Sequence, residues 1–289
     1  MKNGLAIWHY PHRTLTENVV HFSEMLDSVS VLGIHFVDAC RQDGGAALYE
    51  ALCEKHPVFT VHHKLPSTHE EKDVAAFGDD IALCARWQKQ YGLLATLSFD
   101  VPQAIRDNIY PYLKTVMDAF AGEKTRIAIE DFGLTEEEMR QLDPLKGNPQ
   151  FGFLLDIGHL TMRLHDSHWS PKKRLFNFSR YECPSRELGT PVTRADYREA
   201  IVNKPFPIVE IHMHTNDGVR DMHWFLDNPE GVVDSQMIAD LLVELHYDDV
   251  LTIESAPGFM FPCAGREADE GIERTIAIWK SCLERAQRQ

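Results

Sequence analysis

A single (β/α)8 barrel is the fold that this 289-residue sequence predicts, and three observations predict it. Apolar, strand-like runs alternate with amphipathic helical stretches from end to end. The runs number eight, the strand count of that barrel, and a barrel of this kind usually takes about 250 residues. The surplus length is concentrated in one place, 161–206, after the sixth run.

Strands are expected near 4–9, 34–39, 57–64, 93–99, 125–132, 151–157, 207–215 and 250–255. Between the first two, Leu15, Val19, Phe22, Leu26 and Val29 recur at helical spacing, and Thr14 with Glu17 has the pattern of a capping box. Val74, Phe77, Ile81 and Cys84 repeat the spacing. Met237, Leu241, Leu242 and Leu245 do so behind Asp234 as N-cap, and Ile272, Ile276, Trp279 and Leu283 form the last such stripe. The 161–206 stretch is rich in Pro, Arg and aromatic residues and reads as a long loop, a lid over the barrel mouth. The whole chain, 1–289, is thus read as one domain. A doubly wound open sheet would normally announce itself by a Gly-rich first turn, and none follows Tyr10.

The composition restricts the function classes. A hydrophobic content of 44% supports a full core, and the net charge of −15 argues against nucleic acid as the main partner, because phosphate backbones are bound by clustered Lys and Arg. Cys40, Cys53, Cys84, Cys183, Cys263 and Cys282 have no closely paired spacing and are expected to be buried free thiols. With no signal-like N-terminus and no apolar run approaching the roughly 18 residues of a spanning helix, a cytoplasmic location and no membrane partner are expected.

The chemistry is concentrated in the second half. In Arg126-IAIED-Phe132, Phe153-LLDIGH-Leu160, Val209-EIHMHTND-Gly218 and Leu251-TIES-Ala256, an apolar run ends in metal-seeking side chains. Residues two apart on a strand share a face. Ile127 and Ile129 therefore oppose Glu130, and Leu155 and Ile157 oppose Asp156. Ile211 and Met213 oppose Glu210, His212 and His214, while Leu251 and Ile253 oppose Glu254. Carboxylates converging on one buried spot repel each other unless a cation sits among them. In a barrel, all four segments deliver these groups to the C-terminal rim, where active sites lie. His212 and His214 both face inward and one suffices; His214, nearer the mouth, is the first choice and His212 its substitute. Oxygen-rich ligation with one imidazole suits Mn2+ first, with Mg2+, Co2+ or Zn2+ as alternatives.

In their order along the chain, these motifs resemble those of the xylose isomerase-like, or AP endonuclease family 2, superfamily of TIM barrels. The resemblance implies that Glu130, Asp156, His214 (or His212) and Glu254 hold one divalent ion, and that Asp156-IG-His159 matches the family's Asp-x-x-His, whose His contacts substrate or a further metal. It implies a sugar or sugar phosphate isomerase or epimerase. In that reading, Glu130 and Glu254 move a proton next to a carbonyl, and the charge of an enediolate is neutralised by the ion. His159 and Arg220 would orient the substrate, with His62, His9 and Trp8 as further substrate contacts at the mouth. The substrate would be a small sugar or polyol and the protein a homo-oligomer, with 161–206 and the last helix as contact surfaces. Two alternatives come from the same superfamily: a nuclease-like phosphodiesterase using Asp221 and His223 as extra metal ligands, and a polyol ketone dehydratase. A barrel that binds sugar without turnover is the non-enzymatic alternative.

Overall fold

The computed structural model describes residues 1–7, 13–55, 57–131, 134–165, 192–258 and 260–289. Eight parallel strands close into a barrel in sequence order. They are β1 (Lys2–Ile7), β2 (Ser28–Leu32), β3 (Val58–Lys64), β4 (Leu94–Asp100), β5 (Arg126–Glu130), β6 (Phe151–Asp156), β7 (Ile208–Met213) and β8 (Val250–Ile253). The helices that alternate with them are α1 (Leu15–Ser23), α2 (Gly33–Asp43), α3 (Ala46–Lys55), α4 (Glu71–Tyr91) and α5 (Tyr110–Ala119) in the first half. In the second half they are α6 (Glu136–Arg140), α7 (Ile157–His165), α8 (Arg194–Val202), α9 (Ser235–Glu244) and α10 (Gly265–Gln287).

Alternation along each strand divides the barrel into two interiors. The outward residues, among them Val29, Val31, Phe59, Val61, Leu97, Phe99, Ile127, Ile129, Ile211, Met213, Leu251 and Ile253, are buried with the helices in one large apolar cluster. On the inside, Ala128, Leu154 and Val209 form a separate small plug. Val209 reaches it because the β6–β7 register slips, with Phe153 opposite Ile208 but Leu154 opposite Glu210, so Val209 is the extra residue of a bulge. Gly152 makes room for it, since a Cβ there would stand 2.5 Å from Val209 Cγ1. The seam between β8 and β1 is covered by α10, whose buried Trp279 donates its indole N–H to Asn3 at 3.0 Å. Truncating such a side chain costs about 3–5 kcal/mol.

The predicted capping box of α1 is present, with Thr14 and Glu17 each accepting from the other's backbone N–H. Asp234 caps α9 by accepting from Gln236 and Met237. Two expectations need correction. The second strand lies at 28–32, not 34–39: Ser28 to Leu32 pairs with both β1 and β3, and the helix α2 starts at once at Gly33. Phe36 and Val37 are buried at helical, not strand, spacing, and Val29 belongs to the strand. The 161–206 stretch is not one loop, because 161–165 complete α7 and 194–202 form α8, capped by Thr193. The rest of the expected lid, 166–191, with Lys172, Lys173, Arg174, Arg180 and Arg186, lies outside the described residues. Cys40, Cys53, Cys84, Cys263 and Cys282 are free thiols, but only Cys40, Cys84 and Cys282 are buried as expected, Cys53 and Cys263 being partly exposed; Cys183 falls outside the description. Among the described residues, no helix is long and apolar enough to cross a membrane.

Candidate metal centre

The C-terminal ends of the strands place the acidic and imidazole groups. Glu130 and Asp156 are the last residues of β5 and β6, His212 lies on β7, and His214 and Glu254 stand one residue beyond β7 and β8. His62 comes from β3 and Asp100 from the end of β4. Asp221 and His223 come from the loop after β7, where Trp224 pairs back on Thr215 and holds that loop over the rim. All but Asp100 are buried.

Four overlapping groups result, each with one ligand atom per residue within 4.8 Å of the others: His159/His214/Asp221/His223, Glu130/Asp156/His159, Asp156/His212/Glu254 and His62/Asp100/Glu130. Asp156, His159 and Glu130 each belong to two groups, so the four are one continuous cluster. His159 spans it, with Nδ1 2.6 Å from Glu130 Oε1 and Nε2 3.0 Å from Asp221 Oδ2. His214 Nε2 stands 3.2 Å from Asp156 Oδ1, His223 Nε2 3.0 Å from Asp221 Oδ1, and His212 Nδ1 3.1 Å from Glu254 Oε2.

Local backbone chemistry fixes this geometry. Asp156 Oδ1 accepts the backbone N–H of His159 at 2.6 Å, so the carboxylate caps α7 as well as facing the cluster. One residue earlier in α7, Gly158 lies under the ring of His214: a Cβ there would fall 2.1 Å from His214 Cε1 and 2.3 Å from Nε2. Only glycine lets the helix backbone approach the imidazole so closely. Asn216 ties the two elements together by donating to the Gly158 carbonyl at 3.0 Å.

The electrostatics are those of charges that need one another. Burial raises the Glu130 carboxyl to about 8, with His159 pulling against it and Asp100 and Asp156 adding to the rise. Burial also opposes ionisation of Asp156, but His159, His214 and His223 outweigh it and hold the carboxyl well below the usual range. Asp221 is lowered in the same way by His159 and His223. Burial works to lower His223, yet Asp221 and Glu254 bring it up to about 9, and His212 is raised well above its ordinary value by Glu254 and Glu210 against the same penalty. Within the cluster the imidazoles are the counter-charges of the carboxylates.

The residues fit a cation. Asp156 Oδ2, both ring nitrogens of His212, His214 Nε2 and Asp221 Oδ1 are buried with no hydrogen-bond partner of acceptable geometry among the described residues, although acidic and imidazole atoms stand close to them. Buried polar atoms are rarely left so, and a metal ion that takes the place of the imidazole protons satisfies the converging lone pairs. The cluster offers more donors than the six or so that one ion uses. The group of three histidines and Asp221 suits zinc, whereas the more oxygen-rich groups suit a harder ion.

The structure therefore brings together the predicted Glu130, Asp156, Glu254, His212, His214, His159, His62, Asp221 and His223. Arg220 is not brought in. Its side chain is half-exposed and pairs with Asp217 at 2.6 Å. Trp8 and His9 lie outside the described residues. Sequence reasoning gave no role to Gly158, whose constraint comes from a ring 56 positions away in the chain. Asp100 carried only a weak signal, as a polar residue ending a strand.

Comparison with known proteins agrees with the barrel fold. A search of curated proteins found no significant match. Among solved structures, 3-keto-D-glucoside 4-epimerase from E. coli superposes with a TM-score of 0.66 at 12% identity, over 98% of this chain and 100% of the other. Endonuclease IV from Thermus thermophilus superposes with a TM-score of 0.60 at 11% identity, over 99% and 100%. A further Thermus thermophilus protein, from a crystal soaked with zinc chloride, gives 0.61 at 14% identity, over 99% of each chain. At such identities these likenesses show the fold. The sequence itself, over residues 45–282, matches the family described as xylose isomerase-like TIM barrel, and the chain belongs to that family.

Proposed function

We propose that the protein is a divalent-metal-dependent isomerase or epimerase of a small sugar or sugar phosphate. The observation that carries this reading is the placement of two buried carboxylates around Asp156. Glu130 meets it in one ligand group and Glu254 in another. Residues of the Asp156/His212/Glu254 and Glu130/Asp156/His159 groups would hold the ion. Such an ion supplies a Lewis acid that polarises a carbonyl and balances negative charge on its oxygen. Glu130 and Glu254 then take a proton from the carbon beside that carbonyl and return it, the work of a general base and acid in turn. His62 has both ring nitrogens engaged, Nδ1 3.0 Å from Ser98 Oγ and Nε2 3.2 Å from Asp100, so it would meet the sugar as a fixed wall of the pocket rather than as a hydrogen-bond partner. The epimerase among the similar structures supports the substrate class, as does the net charge of −15, which disfavours a polyanionic substrate.

The test is deuterium wash-in from solvent across a panel of aldoses and ketoses, with Mn2+ and with chelator. Exchange that requires metal and drops by about 10²–10⁴ in Glu254→Gln, the range of an acid–base group, is expected. Absence of exchange with every sugar, or full retention in Glu254→Gln, overturns the reading.

One observation favours a second reading. The His159/His214/Asp221/His223 group gives the cluster ligands for a further ion, as hydrolysis of a phosphodiester at an abasic site would use. Endonuclease IV is among the similar structures. That reading requires cleavage of abasic duplex with a steep dependence on salt; failure with Mn2+, Mg2+, Co2+ and Zn2+ alike eliminates it.

A further inference from the structure

We propose that Glu210, in the barrel interior below the cluster, is a positioning residue that sets the ring of His212 so that Nδ1 faces the ion. The proposal rests on the metal centre of the preceding reading but not on the reaction assigned to it. Glu210 is fully buried on β7, two residues before His212. Its Oε1 accepts hydroxyl hydrogen bonds from Thr60 on β3 at 3.0 Å and from Thr252 on β8 at 3.1 Å. The same oxygen stands 3.4 Å from His212 Nε2, an ion-pair approach rather than a well-formed hydrogen bond, while the other ring nitrogen, Nδ1, stands 3.1 Å from Glu254 Oε2. Three strands are thus used to hold one carboxylate where no apolar packing requires it.

A carboxylate on one side of a neutral imidazole selects the tautomer. When an ion takes the place of the second imidazole proton, the proton that stays is the one on Nε2 beside Glu210, and Nδ1 presents its lone pair. Nδ1 is the nitrogen beside Glu254, and His212, Glu254 and Asp156 form one ligand group, so a cation there satisfies all three. An outer carboxylate that takes the far N–H of a ligating histidine is the usual way such ligands are oriented. His214 is held differently, with Nδ1 at 3.4 Å from the Thr215 carbonyl and Nε2 facing Asp156 and Asp221. The two histidines of β7 and its end thereby serve the cluster through opposite nitrogens at different depths. Neither replaces the other.

The experiment uses the full chain loaded with Zn2+ and labelled with 15N-histidine, and reads the protonation of each ring nitrogen by two-bond 1H–15N correlation. His212 is expected to carry its proton on Nε2 and His214 on Nδ1. Glu210→Gln, which keeps volume and an acceptor for the threonines, is expected to lower zinc affinity by about 10–100-fold, as loss of an outer carboxylate does. It should leave the thermal midpoint of the zinc-free protein little changed. His212→Ala should lose a similar factor, and the double variant should lose no more than His212→Ala alone. A proton on His212 Nδ1 in the loaded protein, unchanged affinity in Glu210→Gln, or additive losses in the double variant each overturn the assignment. The expected tautomers together with no sugar exchange would refute the proposed reaction while supporting the role of Glu210.

Discussion

Replacing Gly158 by alanine tests the cluster at a position that binds nothing itself. The new Cβ would lie 2.1 Å from His214 Cε1, roughly 1.3 Å inside the 3.4 Å of ordinary contact. Both partners are constrained: the backbone of α7 is held by the Asp156 cap, and His214 is fully buried. Displacement of either by more than 1 Å exceeds the few tenths of an ångström that metal ligation tolerates. Overpacking of this kind costs about 1–3 kcal/mol of stability. Zinc titration by calorimetry and thermal unfolding of the Gly158→Ala protein measure the two consequences. Affinity or stoichiometry should fall, and His214→Ala in the same background should recover part of the stability by removing the ring. Unchanged zinc binding in Gly158→Ala, or a double variant no more stable than Gly158→Ala, refutes the packing argument.

Two further outcomes follow from the same structure. Removing bound metal with a chelator should lower the unfolding midpoint by about 4–5 °C relative to protein at 100 times Kd, because such saturation contributes about 2.7 kcal/mol to a chain of this size; a midpoint indifferent to metal and chelator contradicts a folded-state site. Burial pushes the Cys40 thiol up to about 12 and raises Cys84 as well, so a thiol reagent at pH 8 should leave both unmodified in the native protein while they react once it is unfolded; rapid native labelling of either, read by mass spectrometry, contradicts the packing of α2 against α4.

Much of the barrel and the inner set of ligands can be read from strand periodicity. Glu130, Asp156, His212 and Glu254 lie opposite continuous apolar faces, and a period of two suffices to aim them inward. Periodicity failed at β2, where Val29 fits both a helical stripe from Leu15 and the strand Ser28–Leu32, while the apolar Ile34, Phe36 and Val37 resemble a strand run. Gly33, the junction between the two, has no pattern of its own. Asp221 and His223 sit in a loop, where no period applies, and only their likeness to a known motif pointed to them. His159 was legible as part of Asp-x-x-His, but its span from Glu130 to Asp221 depends on where α7 starts, which is set by the Asp156 cap. Glu210 was seen to face inward. Its pairing with Thr60 and Thr252 depends on barrel closure, a property of three strands far apart in sequence.

The proposed chemistry requires a cation held jointly by the tips of β5 to β8 and the loop after β7. A crystal structure of the protein grown with Mn2+ or Zn2+, with anomalous difference density collected at the metal edge, tests it most directly. The account predicts density beside Asp156, with oxygen and imidazole nitrogen ligands drawn from Glu130, His159, His212, His214, Asp221, His223 and Glu254 at about 2.0–2.2 Å for zinc. Fully loaded crystals with no anomalous peak among these residues, or with one only elsewhere on the surface, would contradict it.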